Sequence, residues 1–147
     1  MDGIEIRKMT AADIDAVAGL EEENFSTPWK KSDFEDLIDK PDKGCIVALA
    51  GENIVGCVVY HNIVGDVDIT NVQVKEGFRR QGIAKELMEA AMKEAGETGG
   101  VNFTLEVRAL NKPAIALYES MGFVSEGVRP GFYEHPTEDA VIMWKRK

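Results

Sequence analysis

A chain of 147 residues with 44% hydrophobic and 29% charged side chains suits one globular domain, residues 1–147, with room for a core. Its formal net charge of -9 argues against nonspecific nucleic-acid binding, which draws on clustered Lys and Arg; an acidic surface serves encounter with a cationic substrate or simply solubility. No apolar run approaches the roughly 20 residues of a membrane span, and the polar, alternating start MDGIEIRKMT is neither a signal nor a transit peptide, so the expected address is the cytoplasm.

In chain order, Ile4 and Ile6 alternate with Glu5 and Arg7 as a first strand. Thr10 to Asp13 reads as a capped helix start, after which Ile14, Val17, Ala18 and Glu21 fall on one face. Pro28 breaks the pattern at Phe25–Trp29, and a second helix is expected over Lys31–Ile38. Lys40–Gly44 is a turn cluster. Strands are expected at Cys45–Ala50, Ile54–Ile63 and Val67–Val74, joined by glycine-containing turns. A helix over about Gly82–Ala95 carries the apolar stripe Ala84, Leu87, Met88, Ala91 and Ala95. The strand Val101–Arg108 follows, with Phe103, Leu105 and Val107 on one face and Asn102, Thr104, Glu106 and Arg108 on the other. Asn111 and Pro113 open a fourth helix, Ala114–Met121. A last strand pair, Phe123–Arg129 and Ala140–Lys145, is expected around a loop at Pro130–Asp139. The order implies a mixed α/β architecture with an antiparallel front half; regular strand–helix alternation of a doubly wound nucleotide fold is missing.

Cys45 and Cys57 lie in the apolar runs CIVALA and IVGCVVY and read as buried reduced thiols. His61 and His135 have no partners at metal-ligand spacing, and no metal is expected.

The chemistry gathers around Asn71–Lys85. A strand ends at Val74, a turn with Gly77 follows, and Arg79-Arg80-Gln81-Gly82-Ile83-Ala84 opens a helix. Such a junction aims backbone N–H groups and the positive end of the helix dipole at one spot, a seat for phosphate. Gly82 lets the backbone approach closely. Arg80 and Lys85 fit either phosphate contacts or solvent-facing positions.

The spacing Arg79-x-x-Gly82-x-Ala84 resembles the acetyl-coenzyme A loop of the GNAT N-acetyltransferases. With Leu105-Glu106-Val107-Arg108 and Ala116-Leu117-Tyr118-Glu119-Ser120-Met121-Gly122-Phe123 it resembles the RimI branch of that family, from about Asn71 to Trp144 and more weakly at Phe25–Trp29. The resemblance implies the GNAT fold, a mixed central sheet of about seven strands flanked by about four helices. It implies acetyl-CoA as cosubstrate, held by Val72, Gln73 and Val74, by Arg79, Arg80, Gln81, Gly82, Ile83, Ala84 and Lys85, and by Asn111. It implies Glu106 as general base and Tyr118 as general acid in a direct transfer, and the N-terminal alanine of a small-subunit ribosomal protein as acceptor. Phe25, Trp29 and Tyr133 are implied as walls of the peptide groove, although Phe132-Tyr133 stands where relatives often have two tyrosines. A monomer or weak dimer is expected, without nucleic acid or membrane.

The residues themselves leave alternatives. Glu106 suits a base or a solvated strand position, Tyr118 an acid or a core aromatic, Asn111 a cofactor contact or a helix cap, and Phe25 and Trp29 a groove wall or core aromatics. A chain N-terminus has a reference pKa near ~7.7–8.0 against ~10.4 for lysine, so deprotonating it at neutral pH costs roughly 3 kcal/mol less. A single weak base thus suits an α-amine, while a pocket that lowers a lysine pKa keeps lysine open. Three functions remain in play: acetylation of a protein N-terminus, acetylation of a lysine or small amine by the same core, and acetyl-CoA binding by a regulator without turnover.

Overall fold

The computed structural model describes residues 3–134 and 136–147, so His135 lies outside the described residues. Its elements follow as β1 (Ile4–Lys8), a 3-10 turn (Ala11–Asp13), α1 (Ile14–Asn24), α2 (Lys31–Glu35), β2 (Lys43–Ala50), β3 (Asn53–Ile63), β4 (Asp66–Val74), α3 (Ile83–Glu97), β5 (Asn102–Arg108), α4 (Lys112–Ser120), β6 (Val124–Tyr133) and β7 (Glu138–Lys145). The strands form one seven-stranded sheet in the order β1-β2-β3-β4-β5-β7-β6. Pairing is antiparallel except between β4 and β5, which run parallel. The expected mixed sheet with an antiparallel front half is therefore present.

Alternation along the strands divides the core into two layers. On one face α3 buries Ile83, Leu87, Met88, Ala91 and Ala95 against Ala48, Val58, Ile69, Leu105 and Met143, and α4 adds Tyr118. On the other, Ile14, Val17 and Ala18 of α1 join Phe34 and Leu37 over Val47, Cys57 and Val59. Leu87 is completely buried; truncating it to Ala removes about 2–5 kcal/mol of stability. Close approach of α3 depends on Gly56, where a Cβ would sit 3.0 Å from the Gln73 carbonyl oxygen and 3.1 Å from Leu87 Cδ1. Cys45 and Cys57 are free and buried, as expected.

Two expected boundaries move by three residues or more, and others by one or two, such as β2 starting at Lys43 and β7 at Glu138. The second helix stops at Glu35 rather than Ile38, because turns follow and Asp39 takes a left-handed φ of 55° just before Lys40-Pro41. Phe34 and Leu37 still reach the core. Pro130–Tyr133, expected in a loop, belong to β6. This strand is a sheet edge and its register shifts between Arg129 and Tyr133, so the missing Pro130 N–H leaves no ladder position unmet.

One irregularity positions the site. Across β3 and β4, Cys57 pairs with Gln73 and Val59 with Thr70, leaving Asn71 and Val72 opposite Val58. This bulge, with Asn71 at φ 53°, resets the alternation. Gln73 consequently faces α1, while Val72 and Val74 pack with the α3 layer.

Candidate active site

The β4–β5 pairing runs only from Asp66↔Asn102 to Ile69↔Leu105. Among the described residues, no part of β4 after Ile69 pairs with β5, so the bulged end of β4 diverges from its parallel neighbour. Val72, Gln73 and Val74 lie along this open margin, where main-chain groups can meet an extended, amide-bearing ligand. The Gln73 side chain does not share the opening. It is buried, donating to Glu21 Oε1 at 2.7 Å and to Cys57 Sγ at 3.2 Å.

Past Val74 the chain turns into α3. Arg80 adopts φ 63° and Gly82, the N-cap, φ 81°. The Glu86 N–H donates to the Gly82 carbonyl at 3.1 Å. The N–H groups of Ile83, Ala84 and Lys85 precede that first turn and have no intrahelical acceptor. These donors, the helix dipole and the glycine cap fit a diphosphate. Arg79 is exposed but lies back along the protein surface: Nε donates to the Val74 carbonyl (2.9 Å) and Nη2 to Asn24 Oδ1 (2.7 Å). Its side chain braces the loop. Gln81 Nε2 closes back on the Gly77 carbonyl at 3.4 Å. Lys85 lines a groove of about 360 Å³ between α3 and α4, with Glu89, Met92, Ser120, Met121 and Lys145.

Asn111 caps α4, its Oδ1 accepting from the Ala114 N–H at 3.3 Å. The helix then carries Tyr118 into the α3 layer, 6% exposed and edge-on to Phe123 with ring centroids 6.0 Å apart. Burial pushes the Tyr118 phenol up to about 12, and neighbouring Tyr133 adds to the shift. It is a protonated donor at neutral pH. Glu106 points to the other face of β5, since Leu105 and Val107 occupy the α3 layer. Arg129 Nε stands 2.8 Å from Glu106 Oε2. That oxygen is buried and accepts no hydrogen bond, so the contact is an ion pair in which the N–H is not aimed at the carboxylate.

Tyr133 connects the two. Its phenol is raised to about 12, first by burial and then by the charge of Glu106. Arg108 covers its ring at 4.4 Å. Arg108 also donates to the Pro136 and Glu134 carbonyls and meets Glu138 at 3.3 Å, tying the β6–β7 turn to the end of β5. The Ser26 hydroxyl donates to the Glu134 carbonyl at 3.3 Å, which brings the Phe25–Trp29 segment to the same turn. Phe25 is 37% exposed at that junction. Trp29 leans on Phe34 at 5.2 Å and is partly core. Sequence reasoning gave no role to Arg108, Glu138 or Asn24; only the fold reveals their partners. Among the described residues no group of three or more His, Cys, Asp or Glu side chains could hold a metal ion, and no helix is long and apolar enough to cross a membrane.

Comparison with known proteins agrees with this geometry. The family model described as Acetyltransferase (GNAT) family matches residues 14–123. A relative from Bacillus subtilis (strain 168), described as a putative ribosomal protein bS18-alanine N-acetyltransferase, is 32% identical over 140 residues, covering 95% of this chain and 93% of that protein. The crystal structure of the ribosomal-protein-S18-alanine N-acetyltransferase from Escherichia coli superposes with a TM-score of 0.86 at 26% identity, covering 97% of this chain and 93% of the other. NAA60 from Arabidopsis thaliana, crystallised in complex with acetyl-CoA, shares the fold with a TM-score of 0.86 at 22% identity, covering 96% and 97%. A diverging parallel strand pair, an amide-lined helix head beside it and the match over most of the chain lead to one assignment: this is an N-acetyltransferase of the GNAT family.

Proposed function

We propose that the chain transfers an acetyl group from acetyl-CoA to the α-amine of an N-terminal alanine on a small-subunit ribosomal protein of the bS18 kind. The observation that carries this reading is the placement of Glu106 and Tyr118 on opposite faces of the sheet where β4 leaves β5. Acetyl-CoA supplies an activated acetyl thioester. The amides of Ile83, Ala84 and Lys85, with the loop from Arg79 to Gly82, hold its diphosphate, and Val72–Val74 hold its extended arm. Asn111 Oδ1 is committed to the helix cap, so its role toward the cosubstrate falls to the amide nitrogen.

Glu106 takes a proton from the acceptor ammonium, directly or through water. The free amine attacks the acetyl carbon, an amide C–N bond forms as the C–S bond breaks, and Tyr118 gives a proton to the leaving sulfur; the second proton of the attacking nitrogen leaves to water, from which the Tyr118 phenolate is reprotonated. A phenol held near 12 stays protonated and available at neutral pH. Phe25, Trp29 and Tyr133 line the acceptor side, and Arg129 must yield the Glu106 carboxylate to an arriving cation. An α-amine suits this single carboxylate because it releases its proton roughly 3 kcal/mol more easily than lysine at neutral pH.

The test compares an alanine-starting bS18 peptide, the same peptide with a blocked N-terminus and an added lysine, and a panel of small amines. The first is expected to be the preferred acceptor. Glu106→Gln and Tyr118→Phe are each expected to lower kcat about 100-fold or more with the fold retained. Unchanged kcat in both variants removes the proposed roles, and preference for the blocked peptide or a small amine removes the proposed acceptor.

A further inference from the structure

Glu21 stands in the last turns of α1 on the same face as Ile14, Val17 and Ala18, and it is 2% exposed. An apolar side chain would complete that stripe. The carboxylate instead collects three neutral donor groups from two separate parts of the chain. The Trp29 main-chain N–H donates to Oε2 at 3.1 Å. Asn71 Nδ2 lies 3.1 Å from both oxygens. Gln73 Nε2 donates to Oε1 at 2.7 Å. Burying a carboxylate is unfavourable unless such donors satisfy it, and removing its acceptor capacity leaves those donors stranded.

The donors are not scattered. Trp29 belongs to the segment that meets the β6–β7 turn on the acceptor side. Asn71 is the left-handed residue of the β4 bulge, and Gln73 follows it on the strand that diverges from β5. The network continues outward. Gln73 Oε1 accepts from Asn24 Nδ2 at 3.0 Å, Asn24 Oδ1 accepts from Arg79, and Arg79 returns to the Val74 carbonyl. One buried carboxylate is therefore the hub between the acceptor wall, the bulged strand and the loop that opens α3.

We propose that Glu21 is a positioning residue that fixes the acceptor-side segment and the cofactor strand relative to each other, so that its loss weakens both binding steps while leaving the chemical step nearly intact. This rests on reading β4 and the head of α3 as the acetyl-CoA site. Asn71 is the point of leverage. Its amide is held by Glu21 while its backbone sustains a conformation that Asn tolerates and most residues do not.

The experiment measures acetyl-CoA affinity by calorimetry, KM for the alanine-starting peptide, kcat and Tm across a small set of variants. Glu21→Gln sets an NH2 among donors, and is expected to weaken acetyl-CoA binding and raise peptide KM by about tenfold each, with kcat within about threefold of the parent. Asn71→Asp alone faces one carboxylate with another and is expected to be worse. The double variant Glu21→Gln/Asn71→Asp exchanges donor and acceptor across the contact and is expected to recover a large part of the acetyl-CoA affinity, which a merely structural loss would not do. Asn71→Gly keeps the left-handed backbone, removes the amide and serves if Glu21→Gln does not fold; it is expected to weaken acetyl-CoA while sparing peptide KM. Parental affinities in a folded Glu21→Gln or Asn71→Gly protein overturn the proposal, as does a double variant no better than Asn71→Asp. If the parent protein binds no acetyl-CoA, the reading of the cofactor site fails on its own. Hydrogen exchange at the Trp29 N–H then decides the Glu21 claim: Glu21→Gln is expected to accelerate it, and unchanged exchange overturns it.

Discussion

The head of α3 and the Glu106 side of β5 are built from different parts of the chain. The first is made almost wholly of main chain: consecutive N–H groups, a left-handed Gly82, a left-handed Arg80, and an Arg79 side chain spent on bracing the loop. The second is made of side chains from distant segments, with Glu106 on β5, Arg129 and Tyr133 on β6, and Arg108 tied to the β6–β7 turn. A main-chain seat tolerates side-chain change and depends on conformation. A side-chain cleft depends on each partner being delivered by the fold.

The largest separation between the two should come from Arg108→Ala. This substitution removes the cover over Tyr133 and the ties to the Glu134 and Pro136 carbonyls and to Glu138. Peptide KM is expected to rise by about tenfold or more, with acetyl-CoA affinity unchanged in calorimetry. A parallel loss of acetyl-CoA affinity would mean that the regions are not independent at this point. Gly82→Ala should produce the converse and smaller effect. No atom lies within 4 Å of a Cβ built there, so the change meets only the strain of a left-handed φ, about 1–2 kcal/mol. The part of that strain which the unbound loop relieves by relaxing is expected to lower acetyl-CoA affinity by about five- to tenfold, or roughly 1 kcal/mol, while peptide KM holds.

The smallest effect is on stability against pH. Tyr118 and Tyr133 are both raised to about 12 in the folded protein, above the phenol's ordinary ~10. The folded state therefore binds these protons more tightly than the unfolded chain. That contribution is fully present below about pH 10 and is lost as pH rises toward 12. Tm is expected to decline across this window, and the decline should be shallower in Tyr118→Phe. An equally steep decline in that variant would show that the phenol's burial is not linked to folding.

The same contrast explains what the sequence allowed to be read. The turn after Val74, the Gly82 cap and the alternation Leu105-Glu106-Val107 are local patterns, so the glycine-capped head of α3 and the outward face of Glu106 were legible. Partners across the fold were not. Glu21 fell on the apolar face by spacing, yet nothing near it in sequence points to an amide fifty positions away, at Asn71. The bulge at Asn71–Val72 carries no turn signature, so the inward course of Gln73 could not be foreseen. Pro130 and Gly131 signalled a loop because proline interrupts ladders in general; only the position of β6 at the sheet edge makes the strand tolerable.

That edge has a further consequence. β6 offers ten residues of backbone along the outside of the sheet, with Val124 and Val128 exposed, the kind of margin that invites another chain to add a strand. Pro130 withholds a donor, two register shifts interrupt the flat template, and Glu126 and Arg129 place charge along it. The proline that looks out of place in a strand thus makes the longer of the sheet's two free borders a poorer template for an added strand.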